Sequence, residues 1–190
     1  MADRGVSALC PTLCQLGDLG SWTGWRPNEA CALKWNRVDF QYEKILIREG
    51  RVLGLTGIPK STGSIRDLDM LPPVHEALVA QKALSWLLGD YVFLGGKQKP
   101  VNQELFRMKA WEPLLKRVGI RYRPPYQMRH TFATLALSIG ENPNWMSRML
   151  GHKSLVMTLE MYNRYVPNLT WEDGKLLAGT SEMGKRFPMS

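Results

Sequence analysis

The chain has 190 residues, 44% of them hydrophobic and 22% charged, with a formal charge of +8. That length supports one sizeable core with a small appendage, and that balance excludes a disordered polyelectrolyte. No apolar run approaches the ~20 residues a bilayer crossing needs, and the start lacks the basic, apolar and small-residue order of a secretory leader.

Cys10, Cys14 and Cys31 make an odd count with no Cys-x2-Cys pair. They argue against a disulfide framework or a structural zinc site and for free thiols in a reducing cytosol. The charge is uneven. Residues 1–100 hold 12 basic and 10 acidic side chains, and residues 101–190 hold 13 and 7. A basic C-terminal half points to an anionic polymer, although the same excess also serves solubility.

Residues 1–22 mix Gly, Pro, Cys and scattered apolar positions without periodicity, which predicts a loose or partly ordered start. Arg26-Pro27-Asn28-Glu29 before ACALKW predicts a helix start, with proline early and an acid in the first turn. Residues 44–48 and 51–55 read as short strands. The stretch GIPK, the link Ser61-Thr62-Gly63 and SIRDLDML then read as a hairpin with glycine in the turn. Pro72-Pro73 opens a helix to about Trp86, and a brief strand is expected at 91–94. Apolar positions recur at helical spacing through 102–118, where Pro113 should kink or divide the helix. Three helices are predicted after Pro124-Pro125, at 126–139, 143–150 and 154–165, with Gly140 and Gly151 at the junctions. The fold class is therefore α+β, mostly helical with a small antiparallel sheet near residues 44–70. The domain division is a poorly patterned segment 1–20, a patterned unit 21–167 and a polar tail 168–190.

The groups at the openings of these elements bear on function. Arg26 precedes a helix, Arg129 lies in the first turn of another, and His152 sits in the link before the helix capped by Ser154. Helix N-termini carry unpaired N–H groups and positive potential, and guanidinium adds a planar fork matched to phosphate oxygens. Lys60 stands beside the expected hairpin tip. Singly, each is an ordinary surface or packing feature, and Tyr162 and Tyr165, three apart, share a helix face whichever of them reacts.

As an ordered set they resemble the catalytic domain of the tyrosine recombinases, the phage integrase family. TGWRPNEACALKWNRVDF resembles the first arginine box, and PKSTGSIRDLDMLP the hairpin lysine segment. YQMRHTFATLALSIG resembles the second arginine box, and MLGHKSLVMTLEMYNRYVP the histidine and nucleophile box. The resemblance runs from about Ser21 to Pro167. It implies that Arg26 and Arg129 hold the non-bridging oxygens of a DNA phosphate and that His152 bonds the same phosphate. It further implies that Lys60 protonates the leaving oxygen, that Glu29 supports the site and that Tyr162 is the nucleophile, leaving Tyr165 to packing or DNA contact. One position departs: the family usually has His three residues before the second arginine, and here Tyr126 stands there. A phenol hydrogen-bonds well but is a poor base at neutral pH, so the departure bears on rate.

The implied chemistry is DNA cleavage and rejoining through a 3′-phosphotyrosyl link, in which cations stabilise the charge that attack places on the equatorial oxygens. It calls for no cofactor and no metal. The implied partner is double-stranded DNA, with a homotetramer on DNA and a monomer when free, in the cytoplasm and without a membrane. Two alternatives stand beside it. One is a degenerate or truncated prophage integrase that binds DNA without cleaving it; the other is relaxation of the type IB topoisomerase kind. His130 reads as a residue that packs or bonds locally, His75 as one on a helix surface, and Trp35, Trp111 and Trp145 as core residues.

Overall fold

The computed structural model describes residues 11–52, 54–57 and 62–165. Lys60 and the tail 168–190 lie outside the described residues, as do Cys10 and the expected stop at Pro167.

The start is not loose where it is described. Helix α1 spans Pro11–Thr23 and buries Leu13, Leu16 and Leu19 against the helices named below as α3 and α6. Leucines three apart form one stripe on a helix, although the glycines at 17 and 20 weaken its intrinsic propensity. Gly20 leaves room for Met128 and Trp25, whose side chains lie 3.0–3.3 Å from where a Cβ would stand. This helix crosses the boundary expected near residue 20 and belongs to the core.

Helix α2, Pro27–Ala32, is short and leads into a 3-10 turn at Trp35–Arg37. Strands β1 (Val38–Asp39), β2 (Lys44–Ile47), β3 (Gly50–Val52), β4 (Leu55–Gly57) and β5 (Arg66–Asp69) follow. They form a three-stranded antiparallel sheet, β1-β2-β5, and a separate β3-β4 hairpin. This corrects two strand expectations. Residues 51–55 are not one strand but straddle the turn of the β3-β4 hairpin. The strand within SIRDLDML pairs with β2, in register Ile45↔Leu68 and Ile47↔Arg66. The physical reason is facial matching. Ile45, Ile47 and Leu68 are buried, whereas Leu55, Thr56 and Gly57 are exposed and offer β5 no apolar face.

Helix α3, Pro72–Ser85, matches the expectation closely. Its Gln81 and Ser85 side chains both donate to the Val92 carbonyl, at 2.8 and 2.6 Å. They anchor residues 91–94, which make isolated bridges, Lys34↔Tyr91 and Leu94↔Pro100, rather than the expected strand. Helices α4 (Gln103–Phe106) and α5 (Glu112–Arg117) are joined by a π-helical turn at Arg107–Trp111. Pro113 lacks the N–H an uninterrupted helix would need, so the chain widens just before it.

Helices α6 (Gln127–Ser138), α7 (Pro143–Leu150) and α8 (Leu155–Tyr162) end the described fold, followed by a 3-10 turn at Asn163–Tyr165. Asn142 caps α7 and Ser154 caps α8 through their side-chain oxygens. Helix α7 packs on β5, and Trp145 donates to the Asp69 carboxylate. The sheet is thereby held against the helices that carry the late motifs. Among the described residues no helix is long and apolar enough to cross a membrane.

Candidate active site

Glu29, in the first turn of α2, is 2% exposed and receives four hydrogen bonds. The Arg26 backbone N–H reaches Oε2 at 2.8 Å, and the Arg26 guanidinium reaches Oε1 at 2.7 Å. The Arg66 guanidinium bridges both oxygens at 2.9 Å. Burial pushes the Glu29 pKa up, but hydrogen bonding and charge from Arg66, then Arg26, carry it below the ordinary carboxylate value. Arg66 is further held by the Met149 carbonyl on its Nε at 2.8 Å. One carboxylate thus fixes two arginines from elements far apart in sequence, and Arg26 keeps part of its surface open.

Arg129 is 1% exposed, a rare environment for guanidinium. Its Nη1 donates to the Gly24 carbonyl at 2.8 Å and its Nη2 to the Leu150 carbonyl. Burial, then the Arg26 charge, lowers its pKa to about 10, so it stays protonated at neutral pH. The loop before α2 and the end of α7 are therefore tied by one cation. Gly24 sits at φ +60°, and a Cβ there would stand 2.4 Å from the Phe132 ring, so only glycine allows this approach.

His152 follows Gly151, whose φ of +64° closes α7 in a left-handed cap. Its Nδ1 lies 2.7 Å from the Thr158 hydroxyl on α8. Burial, then the charges of Arg129, Arg26 and Arg66, depress its pKa to about 4. The imidazole is therefore neutral near pH 7. In the tautomer whose Nδ1 accepts from the Thr158 hydroxyl, the ring carries its proton on Nε2.

Tyr162 is 3% exposed, and its ring stacks on that of His152 with centroids 6.5 Å apart and planes 5° apart. Its hydroxyl lies 2.7 Å from His130 Nδ1. Burial raises its pKa and the nearby Arg129 charge partly offsets that rise. Tyr126, 39% exposed at the start of α6, sets its ring edge-on to His130 at 5.3 Å. An open groove of about 690 Å³ runs along α6 and α8, with Arg123, His130, Thr131, Tyr162 and Tyr165 among its walls.

Of the residues singled out in the sequence, Arg26, Glu29, Tyr126, Arg129, His152 and Tyr162 gather in one region, linked by hydrogen bonds, ring contacts or mutual charge effects. Lys60 lies outside the described residues. Tyr165 packs against the core. Two residues escaped the sequence reading. Arg66 carried a usable signal: two positions from Leu68 in a strand, it faces the same interior and needs a buried acid. His130 stood four residues from Tyr126 on one helix face, but nothing in the sequence pairs it with α8. Cys31 is a buried thiol with its pKa pushed up to about 12 by burial, inert rather than reactive. Among the described residues no cluster of potential metal ligands occurs.

The electrostatics are those of an anion site. Arg26 and Arg66 pair with the Glu29 carboxylate while Arg129 is held by carbonyls alone, which leaves positive potential beside a neutral imidazole and a protonated phenol. Such a set stabilises negative charge developing on a bound oxyanion.

Comparison with known proteins gives the same direction. Residues 18–168 match the Phage integrase family. Prophage integrase IntR of Escherichia coli K12 is 31% identical over 180 residues, covering 82% of this chain and 44% of that protein. A tyrosine recombinase XerC-like protein of Caldanaerobacter subterraneus is 28% identical over 171 residues, covering 76% and 44%. Among solved structures, the Tn1549 transposon integrase (residues 82–397) with circular intermediate DNA superposes with a TM-score of 0.71 at 22% identity, covering 85% of this chain and 57% of that one. The XerA recombinase crystal structure superposes with a TM-score of 0.66 at 22% identity, covering 93% and 62%. The chain spans less than half the length of these curated relatives.

Proposed function

The chain belongs to the phage integrase family, and from that premise we propose that it is the strand-transferring unit of a site-specific DNA recombinase. Its substrate is double-stranded DNA, and Tyr162 is the nucleophile. The observation that carries this reading is the neighbourhood of the Tyr162 hydroxyl: His130 Nδ1 lies 2.7 Å away, His152 stacks alongside, and the charge of the buried Arg129 offsets part of the pKa rise that burial causes.

The Tyr162 oxygen attacks the scissile phosphorus, the bond to the 5′-oxygen breaks, and a 3′-phosphotyrosyl link forms. Arg26, Arg129 and the Nε2–H of His152 hydrogen-bond the non-bridging oxygens, where charge builds up. Glu29 and Arg66 orient Arg26 rather than touching DNA. Lys60 gives a proton to the departing 5′-oxygen, a strong base that leaves poorly as an alkoxide. A 5′-hydroxyl of another strand then attacks the link and releases the tyrosine, so the energy of the first bond is kept and no nucleotide is consumed. Exchange between two duplexes requires several copies, and the reading includes a homotetramer on DNA.

The test is a nicked suicide duplex whose cleaved end diffuses away. The wild-type chain should accumulate a covalent adduct on its matched site, seen as a shifted band in denaturing gels, and Tyr162→Phe should give none. Wild-type protein that binds such duplexes without forming an adduct would favour the binding-only alternative. Adduct persisting in Tyr162→Phe would overturn the assignment of the nucleophile.

A further inference from the structure

The strand-transfer reading leaves one atom without a destination, the proton of the Tyr162 hydroxyl. Burial holds that hydroxyl in its protonated form, and a neutral phenol is a weak nucleophile. Tyr126 is itself a phenol. His152 has its Nδ1 engaged by Thr158, and its other nitrogen faces the phosphate in the proposed arrangement.

We infer that His130 is a further catalytic residue, whose Nδ1 takes the proton from the Tyr162 oxygen as that oxygen attacks phosphorus. The inference rests on the strand-transfer reading above. The geometry is direct: Oη and Nδ1 are 2.7 Å apart, a hydrogen-bond distance suited to proton transfer. The two side chains come from different helices, α6 and α8, and both line the same open groove. Helix α6 holds His130 one residue from Arg129, which is locked by two carbonyls, so the imidazole has a fixed platform. Tyr126 sets its ring edge-on to the imidazole from the preceding turn.

The surroundings of His130 keep it unprotonated before attack. Arg129 lies beside it on α6, Arg123 lines the groove from the segment before α6, and His152 and Tyr162 face it from the α7–α8 side, with Tyr165 beyond. Burial and then the Arg129 charge lower the His130 pKa, so the ring is neutral near pH 7, and the Nε2–H tautomer offers Tyr162 the Nδ1 lone pair. The proton balance closes. In cleavage, Tyr162 loses a proton to His130 while the 5′-oxygen gains one. In rejoining, the attacking 5′-hydroxyl returns a proton to Lys60, which gave one up in cleavage, and the departing Tyr162 oxygen recovers its own from His130.

The experiment measures single-turnover formation of the phosphotyrosyl adduct across pH, using the full chain and the suicide duplex. His130→Asn is the main variant, because its side-chain oxygen can still accept a hydrogen bond from Tyr162 but takes up no proton. A base at this position predicts a loss of roughly 10²–10⁴-fold in rate, with DNA affinity retained. The wild-type rate should fall as pH drops through the lowered His130 pKa, and this inflection should be absent in His130→Asn. Added imidazole should partly restore His130→Ala. A duplex with sulfur replacing the leaving 5′-oxygen should rescue Lys60→Ala, since thiolate leaves without a proton, but should not rescue His130→Asn. If His130→Asn cleaves at the wild-type rate, or the sulfur duplex restores it, this inference is overturned and strand transfer by Tyr162 stands. If the wild-type chain forms no adduct, both fall together. Should His130→Asn fail to fold, the wild-type pH profile decides: a rate unchanged from pH 8 down through the ordinary imidazole range to pH 4 overturns the inference.

Discussion

Glu29 and His152 show how single side chains couple this site to stability, and their signs can be worked out. Glu29 titrates below its ordinary value in the folded chain. Its ion pairs therefore stabilise the fold fully above that ordinary value, and the contribution is lost as pH falls through the depressed one. Arg66→Met removes half of its donors and leaves a buried carboxylate held by Arg26 alone. Breaking a buried pair in this way costs about 3–5 kcal/mol. Urea unfolding at pH 7 should show that loss, and acid unfolding of the variant should begin at higher pH than in the wild type. His152 acts in a different window. Its folded pKa is about 4 against an ordinary 6.5, so the unfolded chain takes up a proton first as the solution is acidified. Stability should decline from pH 6.5 towards 4, and His152→Gln should flatten that part of the curve in urea midpoints measured at half-unit steps. A bound phosphate reverses the preference, since an anion beside the ring favours its charged form.

Elements place these residues, and the link between α7 and α8 is the most constrained of them. Gly151 occupies the left-handed region, and a Cβ there would stand 2.5 Å from the Gly63 carbonyl oxygen and 2.8 Å from Arg66 Cδ. Gly140 also has positive φ, +92°, but a Cβ there meets nothing within 4 Å. The two glycines make a matched pair. Gly140→Ala should cost only backbone strain, on the order of 1–2 kcal/mol. Gly151→Ala adds a collision with backbone, which pushes His152 away from Arg66 and the turn at 62–64. Thermal unfolding should show Gly151→Ala clearly the less stable, and its adduct yield should fall where that of Gly140→Ala does not. Both glycines were legible in the sequence as helix ends, because the cap signal is local. The late helices were legible for the same reason, their caps and apolar spacing lying within one turn or two. Strand pairing was not. That Arg66 would face Ile47 of β2 rather than the nearer β4 depends on which faces can be buried together, a property of the folded sheet and not of any short window. Helix α1 was missed because its three leucines are spaced by residues that lack helical propensity, and the packing against α3 and α6 supplies what propensity does not.

At the scale of the whole molecule, the fold brings side chains from residues 26 to 162 to one region, and most of that gathering could be expected only through the resemblance of the motif order. Chemistry of single residues was readable, but contact between elements was not, which is why the His130–Tyr162 hydrogen bond has no precursor in the sequence reading. The uneven charge has a consequence of its own. The basic excess lies in residues 101–190, and within it Arg123 is exposed and lines the groove that Tyr162 also lines, while Arg129 is buried. Exposed arginines at a groove edge meet a DNA backbone through phosphates, and each phosphate contact releases a condensed counterion. Binding of duplex DNA should therefore weaken steeply and linearly on a plot of log affinity against log salt. Arg123→Ala should lessen that slope by about one and weaken matched and unmatched duplexes alike, as loss of one phosphate contact does. Arg129→Lys should instead leave the slope nearly unchanged while abolishing adduct formation, because its role is at the scissile phosphate and in tying two loops together. Fluorescence anisotropy with a labelled duplex over 50–300 mM salt, on the order of the range in which such effects are measured, separates the two. An affinity that stays flat across that range would remove DNA as the partner, and with it the strand-transfer reading of the site.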